Sequence, residues 1–465
     1  MSEKLMRGAV GNILEAVGHT PIVRLNKVAS HVKAKIYVKC EYMNPGGSMK
    51  DRIGIHIINQ AEKQGLLKPG GTIVEATSGN TGMGLALVAA VRGYKCIFVM
   101  PDKQSEEKRQ ALRAVGAKVV ICPTDVEAED PRSYYCVSRK IAEETPNCFY
   151  ANQYHNPSNP EAHYLSTGPE IWDQCGDELD VFCAGMGTGG TLSGTGKFLK
   201  EKKPSIKIVG VDPIGSIYYD LYKTGRMTTP HSYKVEGIGE DFVPSTMNLK
   251  ILDEVIQVND RECFAMARDL VRREGILIGS SAGAAVIGAV KYAELSGTTG
   301  NILVLLPDSA SRYLSKFLND DWMRENGMLG PEPSAGKVRD LLARRPAGKG
   351  LVTANADEPV GTVIERMKSH DISQLPVMDG GKKLLGIVNE VDILKHLVGG
   401  GANMKTPIRD LAETGFATVT PDTPVAFLSE HFNRGKIALV LDGDQLAGVI
   451  TKIDLIDYLA TMLKN

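Results

Sequence analysis

Four short segments in the first 300 residues combine residue types that chemistry needs more than folding does. The first, Asn44-Pro45-Gly46-Gly47-Ser48-Met49-Lys50-Asp51-Arg52, is a turn cluster that delivers a lysine at the start of a helix. A cation there faces the positive end of the helix dipole, which costs about 0.3–1 kcal/mol. Lys50 is either a solvated lysine after a turn or an amine in a pocket, where desolvation lowers its pKa and lets it attack a carbonyl. The second segment, Thr77-Ser78-Gly79-Asn80-Thr81-Gly82, lies between a strand and an apolar helix. Its small side chains let backbone N–H groups approach an anion, although a helix cap in a tight βα turn would read the same way.

The third segment, Gly185-Met186-Gly187-Thr188-Gly189-Gly190-Thr191, follows a strand and opens a helix, the place where a phosphate binds. It contains G-x-G-x-x-G at Gly185, Gly187 and Gly190, and Asp212 ends a strand 22 residues later, so a dinucleotide fingerprint fits formally. That reading leaves the Lys50 turn, the second segment and the fourth, Gly279-Ser280-Ser281-Ala282-Gly283, without a role. Pyridoxal 5′-phosphate uses all four: a lysine for its aldehyde, a backbone cup for its phosphate, and polar partners for its ring oxygen and nitrogen.

In order and spacing, NPGGSMKDR, TSGNTG, GTGGT and GSSAG resemble the fold type II pyridoxal-phosphate enzymes, the group of the cysteine synthases and cystathionine β-synthases. The string Val235 to Phe242 is similar to the V-E-G-I-G-x-D-F loop of the latter, with Glu240 where animal members commonly carry tyrosine. The resemblance implies that Lys50 binds the cofactor aldehyde and shuttles the proton, and that Asn80 bonds the ring oxygen. Gly187, Thr188, Gly189, Gly190 and Thr191 then hold the phosphate, and Ser281 faces the pyridine nitrogen. Thr77, Ser78, Thr81 and Gln153 receive the amino acid carboxylate, with Tyr154, Gly237 and Glu240 near the reacting side chains. A hydroxyl at the ring nitrogen does not enforce its protonation, which suits β-elimination more than transamination. His155 and His163 are given structural or solvated places, because Lys50 can perform both proton transfers.

Residues 383–397 (KLLGIVNEVDILKHL) are echoed at 445–459 (QLAGVITKIDLIDYL), an offset of 62. Each copy reads as strand, helix, strand, strand, helix, and two copies suit a pseudo-twofold pair with a cleft between them. The copies resemble a tandem CBS-domain pair, the Bateman module. That likeness implies a site for S-adenosylmethionine or an adenine nucleotide, with Thr451 and Asp454 on the ribose and Asn389 and Asp392 in the corresponding places. A capping box at a helix start fits Thr451-x-x-Asp454 equally well.

The two resemblances together imply condensation of L-serine with L-homocysteine to L-cystathionine and water, with release of H2S from cysteine as a side activity. The nearest rival is an O-acetylserine-dependent cysteine or cystathionine synthase. An adenosyl-ligand sensor with an inactive catalytic domain is the alternative of another class, and the intact Lys50 and phosphate loop argue against it. Vertebrate members carry an N-terminal haem segment, and residues 1–10 leave no room for one, so no haem is expected.

These loops need a scaffold, and the chain supplies one. Thr72–Glu75, Lys95–Met100, Lys118–Ile121, Val181–Ala184, Ile206–Val211 and Asn301–Leu306 read as apolar strands without strict alternation, alternating with helices such as Asp51–Lys63 and Asp260–Glu274. Such runs predict an α/β fold: a catalytic domain of two lobes with mostly parallel sheets, covered on both faces. The 465 residues divide into that domain at 1–325, a Gly/Pro-rich linker at 326–336, and two copies at 337–400 and 401–465. With 54 Lys plus Arg against 55 Asp plus Glu, the net charge of −1 offers nothing to nucleic acid or an anionic membrane. No apolar run reaches the ~18 residues of a membrane span. No secretory signal is recognisable, and eight cysteines lie scattered without C-x-x-C. The expectation is a cytoplasmic enzyme with free thiols, no metal, small zwitterionic substrates, and a homodimeric or homotetrameric assembly.

Overall fold

Most of the apolar runs become parallel strands buried on both sides, the exception being the edge run 118–122, where only Cys122 is buried. In chain order the catalytic part holds β1 (Ile22–Arg24), β2 (Lys35–Cys40), β3 (Thr72–Ala76), β4 (Lys95–Pro101), β5 (Lys118–Cys122) and β6 (Cys148–Tyr150). Next come β7 (Val181–Gly185), β8 (Lys207–Pro213), β9 (Glu254–Val258) and β10 (Asn301–Leu306). They form a six-stranded sheet, β1-β2-β10-β7-β8-β9, and a four-stranded one, β5-β4-β3-β6. Among the described residues of these two sheets, only the β1–β2 strand pairing is antiparallel. The computed structural model describes all residues but 1–4, 103, 125, 128, 330–335, 344–350, 381–382, 400–402, 415, 426, 429–431, 433–436, 444 and 463–465. It divides into two units, Met1–Leu329 and Gly330–Asn465.

β7 shows why alternation is missing from the sequence. Val181 and Cys183 enter one core with Val209 and Val304, whereas Phe182 and Ala184 enter another with Ile208 and Leu303. A third core, with Ile53, Ile57, Leu85 and Phe98, packs the smaller sheet against the helices Lys50–Lys63 and Asn80–Arg92. Those two helices touch through glycine. A Cβ at Gly54 would lie 2.5 Å from the Gly84 carbonyl carbon, and one at Gly84 would run into the carbonyl oxygen of Lys50.

Four strands escaped the reading of apolar runs: β1, β2, β6 and β9. β2 is KIYVKC, and its Lys39 is fully buried, bonded to Glu170 and Gln174. The helix expected over 260–274 is α-helical for Asp260–Asp269 and closes in a π-turn, Leu270–Glu274.

In the second unit each copy keeps a small sheet. The first is β11 (Ala354–Asn355), β12 (Gln374–Asp379) and β13 (Lys383–Asn389), with helices Val360–His370 and Glu390–Val398. The second is β14 (Ala417–Val419), β15 (Ala438–Asp442) and β16 (Gln445–Ile450), with helix Lys452–Met462. The first helix expected in that copy falls largely outside the described residues. Ile387 of the first copy packs with Ile437 and Leu439 of the second. The helix Val338–Ala343 opens the stretch expected as the first copy, yet Val338 and Leu341 pack into the core of the second, beside Val419, Val425 and Tyr458.

Candidate active site

Loops leaving the C-terminal ends of β3 and β7 line one cavity of about 350 Å³, together with Lys50, Gln153, Tyr154, Ser281 and the Val235–Asp241 segment. This is the crevice where open α/β sheets place ligands. Lys50 is the first residue of its helix and half-buried, and its Nζ donates to Thr188 Oγ1 at 3.4 Å. Burial lowers its pKa to about 8, against the pull of the Glu240 and Glu75 carboxylates. About one tenth of the amine is therefore neutral at pH 7, and the neutral amine is the form that attacks carbonyls. Two residues on, Arg52 donates to both Glu41 oxygens at 2.7 Å and pairs with Glu170 at 2.9 Å, which pins the start of the helix.

The glycine loop ends in a helix, Gly190–Lys202, whose N-cap Gly189 has φ +84°. The first N–H groups of such a helix have no intrahelical acceptor and favour an anion. The loop is fixed from below. Thr188 Oγ1 accepts from Asn159 at 3.0 Å, the Thr188 carbonyl accepts from Thr246 at 2.6 Å, and Tyr218 donates to the Gly187 carbonyl at 2.7 Å. His163 is buried, and burial holds it well below the usual histidine range, so it is neutral; it bonds Thr191 Oγ1 at 3.2 Å and Thr167 Oγ1 at 2.9 Å. The exposed His155 meets Ser245 Oγ at 3.2 Å.

Asn80 donates from Nδ2 to Asp308 at 2.8 Å, and its Oδ1 is buried without a hydrogen-bond partner. An orphaned acceptor at that depth is costly unless a ligand meets it. A ring hydroxyl beside it, a phosphate on the glycine loop and an aldehyde at Lys50 satisfy the three unmet functions together, so the residues fit pyridoxal phosphate. Ser281 is buried at the start of the helix Ser280–Ser296, beside Gly237.

The turn after β3 places Ser78 and Thr81 on the cavity, and Thr81 Oγ1 donates to Gln153 Oε1 at 2.6 Å. Thr77 differs from its expected role. Its buried hydroxyl accepts from the N–H groups of Gly79 and Gly82, at 2.9 and 3.3 Å, and it does not line the cavity. Gly190 also lies behind the lining, its backbone packed against Asn159. In the second unit Thr451 and Asp454 bond each other at a helix start, and Asn389 and Asp392 form a capping box.

Sequence reasoning missed the residues that connect these loops. Asp308, just after β10, accepts from Asn80 and from Tyr313 at 2.6 Å. Glu236 takes Lys108 at 2.6 Å and Lys316 at 2.5 Å, and Gln104 in its satisfied orientation bridges Glu236 to the Ser78 carbonyl. Glu75, a lone carboxylate inside β3, accepts the Gln153 N–H at 3.2 Å, and burial raises its pKa to about 8. A charge within an otherwise apolar strand was the one available signal.

Residues 13–308 match the family model for pyridoxal-phosphate dependent enzymes, and residues 338–399 and 408–461 each match the CBS domain. The chain is 39% identical over 464 residues to the cystathionine beta-synthase of Dictyostelium discoideum, covering 96% of this chain and 92% of that protein. It is 35% identical to the Saccharomyces cerevisiae protein of the same name, covering 97% and 98%. Among solved structures, the O-acetylserine dependent cystathionine beta-synthase of Helicobacter pylori is similar at 39% identity and a TM-score of 0.61, covering 66% of this chain and 98% of that one. A hydrogen sulfide-producing enzyme from Fusobacterium nucleatum is similar at 37% identity and 0.61, covering 66% and 100%.

Proposed function

Because the chain belongs to the cystathionine β-synthase family of pyridoxal-phosphate dependent enzymes, we propose that it joins L-serine to L-homocysteine by β-replacement, giving L-cystathionine and water. The observation that carries this reading is the half-buried Lys50 amine, held at the glycine loop with a pKa lowered to about 8. When bound, pyridoxal phosphate supplies an electron sink that acidifies the α-proton and loosens the β-substituent. The chain does the rest. Gly187, Thr188, Gly189, Gly190 and Thr191 hold the phosphate through the helix N-terminus, Asn80 and Ser281 orient the ring, and Ser78 and Thr81 receive the substrate carboxylate. Lys50 takes the α-proton and returns one to the departing hydroxide. Hydroxide is a poor leaving group, so this acid assistance is what separates serine from an activated ester.

The solved relative named for O-acetylserine supports a second reading, in which acetate leaves instead. Turnover with serine and with O-acetylserine, each offered homocysteine and sulfide, decides between them. Efficient serine turnover with homocysteine is expected; negligible turnover would give the second reading its place. We also assign the CBS pair to adenosyl-ligand regulation through Thr451 and Asp454, with Asn389 and Asp392 as a second site. The proposed domain limits are 1–325 and 337–465, and the proposed assembly is a cytoplasmic homodimer or homotetramer.

A further inference from the structure

Resting on that reading, we propose that Glu240 selects the second substrate by its ammonium group, so that the site prefers an amino thiol to sulfide or to a simple thiol. The loop that presents it is rigid by construction. Gly237 and Gly239 have φ +86° and +78°, which glycine alone adopts freely, and Gly239 N–H donates to the Met186 carbonyl at 2.6 Å. Glu240 is fixed at both ends of its peptide: its N–H donates to Ser216 Oγ at 3.1 Å, and its carbonyl accepts from Ile217 N–H at 3.1 Å. The side chain is half-buried and lines the cavity.

The facing wall is aromatic. Tyr135, Tyr154 and Phe242 meet edge-on with ring centres 5.3–5.7 Å apart, and Tyr134 and Tyr154 share a hydroxyl contact of 3.4 Å. Burial, and next the Glu240 charge, push the phenols of Tyr134 and Tyr154 up, so both stay neutral. The Glu240 charge also reaches the Lys50 amine, Glu236 holds two lysines, and Asp241 is exposed at the rim. A half-buried carboxylate facing neutral phenol rings has the chemistry of an ammonium site, combining ion pairing with cation–π attraction. The first amino acid has its nitrogen committed to the cofactor and its carboxylate at Ser78 and Thr81. The free ammonium in the cavity is that of the incoming thiol amino acid, and sulfide has none.

The test is a thiol series on the holoenzyme with serine as first substrate. Homocysteine is compared with 4-mercaptobutanoic acid, which lacks only the amino group. Wild-type protein should prefer homocysteine in kcat/KM, and in Glu240→Gln that ratio should fall about 10- to 100-fold, as expected when a charged hydrogen bond is lost. An unchanged ratio in the variant, even with both rates depressed, overturns the proposal, because a general effect on chemistry or folding moves both thiols together. If the variant does not fold, equal use of the two thiols by wild-type protein overturns it as well. Absence of wild-type turnover with homocysteine, alongside turnover with sulfide, would instead overturn the parent reading.

Discussion

At the scale of a residue, Lys50 is an amine whose charge the fold has made negotiable. Burial lowers its pKa from 10.5 to about 8, so the protonated form dominates below pH 8 and the nucleophilic form above it. At pH 7 about one tenth is neutral, against a few parts in ten thousand for an ordinary lysine. In protein stripped of cofactor, competitive acylation read by mass spectrometry should show Lys50 reactivity rising about tenfold per pH unit and levelling near pH 8. An inflection above pH 10 would mean that burial does not reach the amine. Lys50, Asn80, Thr188 and Ser281 were legible in the sequence because each sits in a short string of turn residues that folding alone does not require. Gln104, Glu236 and Asp308 were not, because the bond that ties each to the site reaches a partner 26 or more positions away, as in the Asn80–Asp308 bond. Thr77 was read as a turn residue and a substrate contact, and in the structure its hydroxyl closes the turn that presents Ser78 and Thr81.

At the scale of an element, the position of Lys50 depends on a crossing of two helices with no side chains between them. The sequence marks Gly54 and Gly84 as helix residues of low propensity, and gives no sign that Gly54 abuts Gly84 and that Gly84 abuts the Lys50 carbonyl. Gly84→Ala places a methyl against the Lys50 carbonyl, and the Lys50 helix must shift. Overpacking of this kind costs about 1–3 kcal/mol. A displacement of about 1 Å at a reacting group costs on the order of 100-fold in rate. The variant should therefore lose at least tenfold in kcat while its melting temperature falls by only a few degrees. Retained kcat would show that the crossing does not set the lysine. The parallel strands were read well for the converse reason, since burial on both faces leaves an apolar run; β2, with a lysine buried by its pairing to Glu170, carries no such mark.

At the scale of the molecule, the two units have separate cores. Among the described residues, the three cores of Met1–Leu329 draw on none beyond Leu329, and those of the second unit begin at Val338. A chain ending at Leu329 should fold, bind cofactor with its visible absorbance, and catalyse β-replacement, whereas calorimetry with S-adenosylmethionine, ATP and AMP should show binding only in the full chain. An insoluble or colourless truncation would make the second unit a folding requirement, and silence from all three ligands would leave Thr451 and Asp454 as a helix cap alone. The repeat itself was plain in the sequence; that Val338 and Leu341 serve the second copy was not, because the chain order points to the first.

The strand order of the large sheet also sets a timetable. β10 lies between β2 and β7, yet β7 ends at residue 185 and β10 at residue 306. Every strand of the four-stranded sheet lies within residues 72–150, so that lobe can close early in synthesis. The six-stranded sheet must wait for its middle strand while some 120 further residues leave the ribosome, on the order of 10 seconds at 5–20 residues per second. Through that interval the facing edges of β2 and β7 are unpaired, and exposed edges of this kind recruit other chains. The nascent chain is most vulnerable to aggregation in that window, after its lysine has been placed and before the cavity has its second wall.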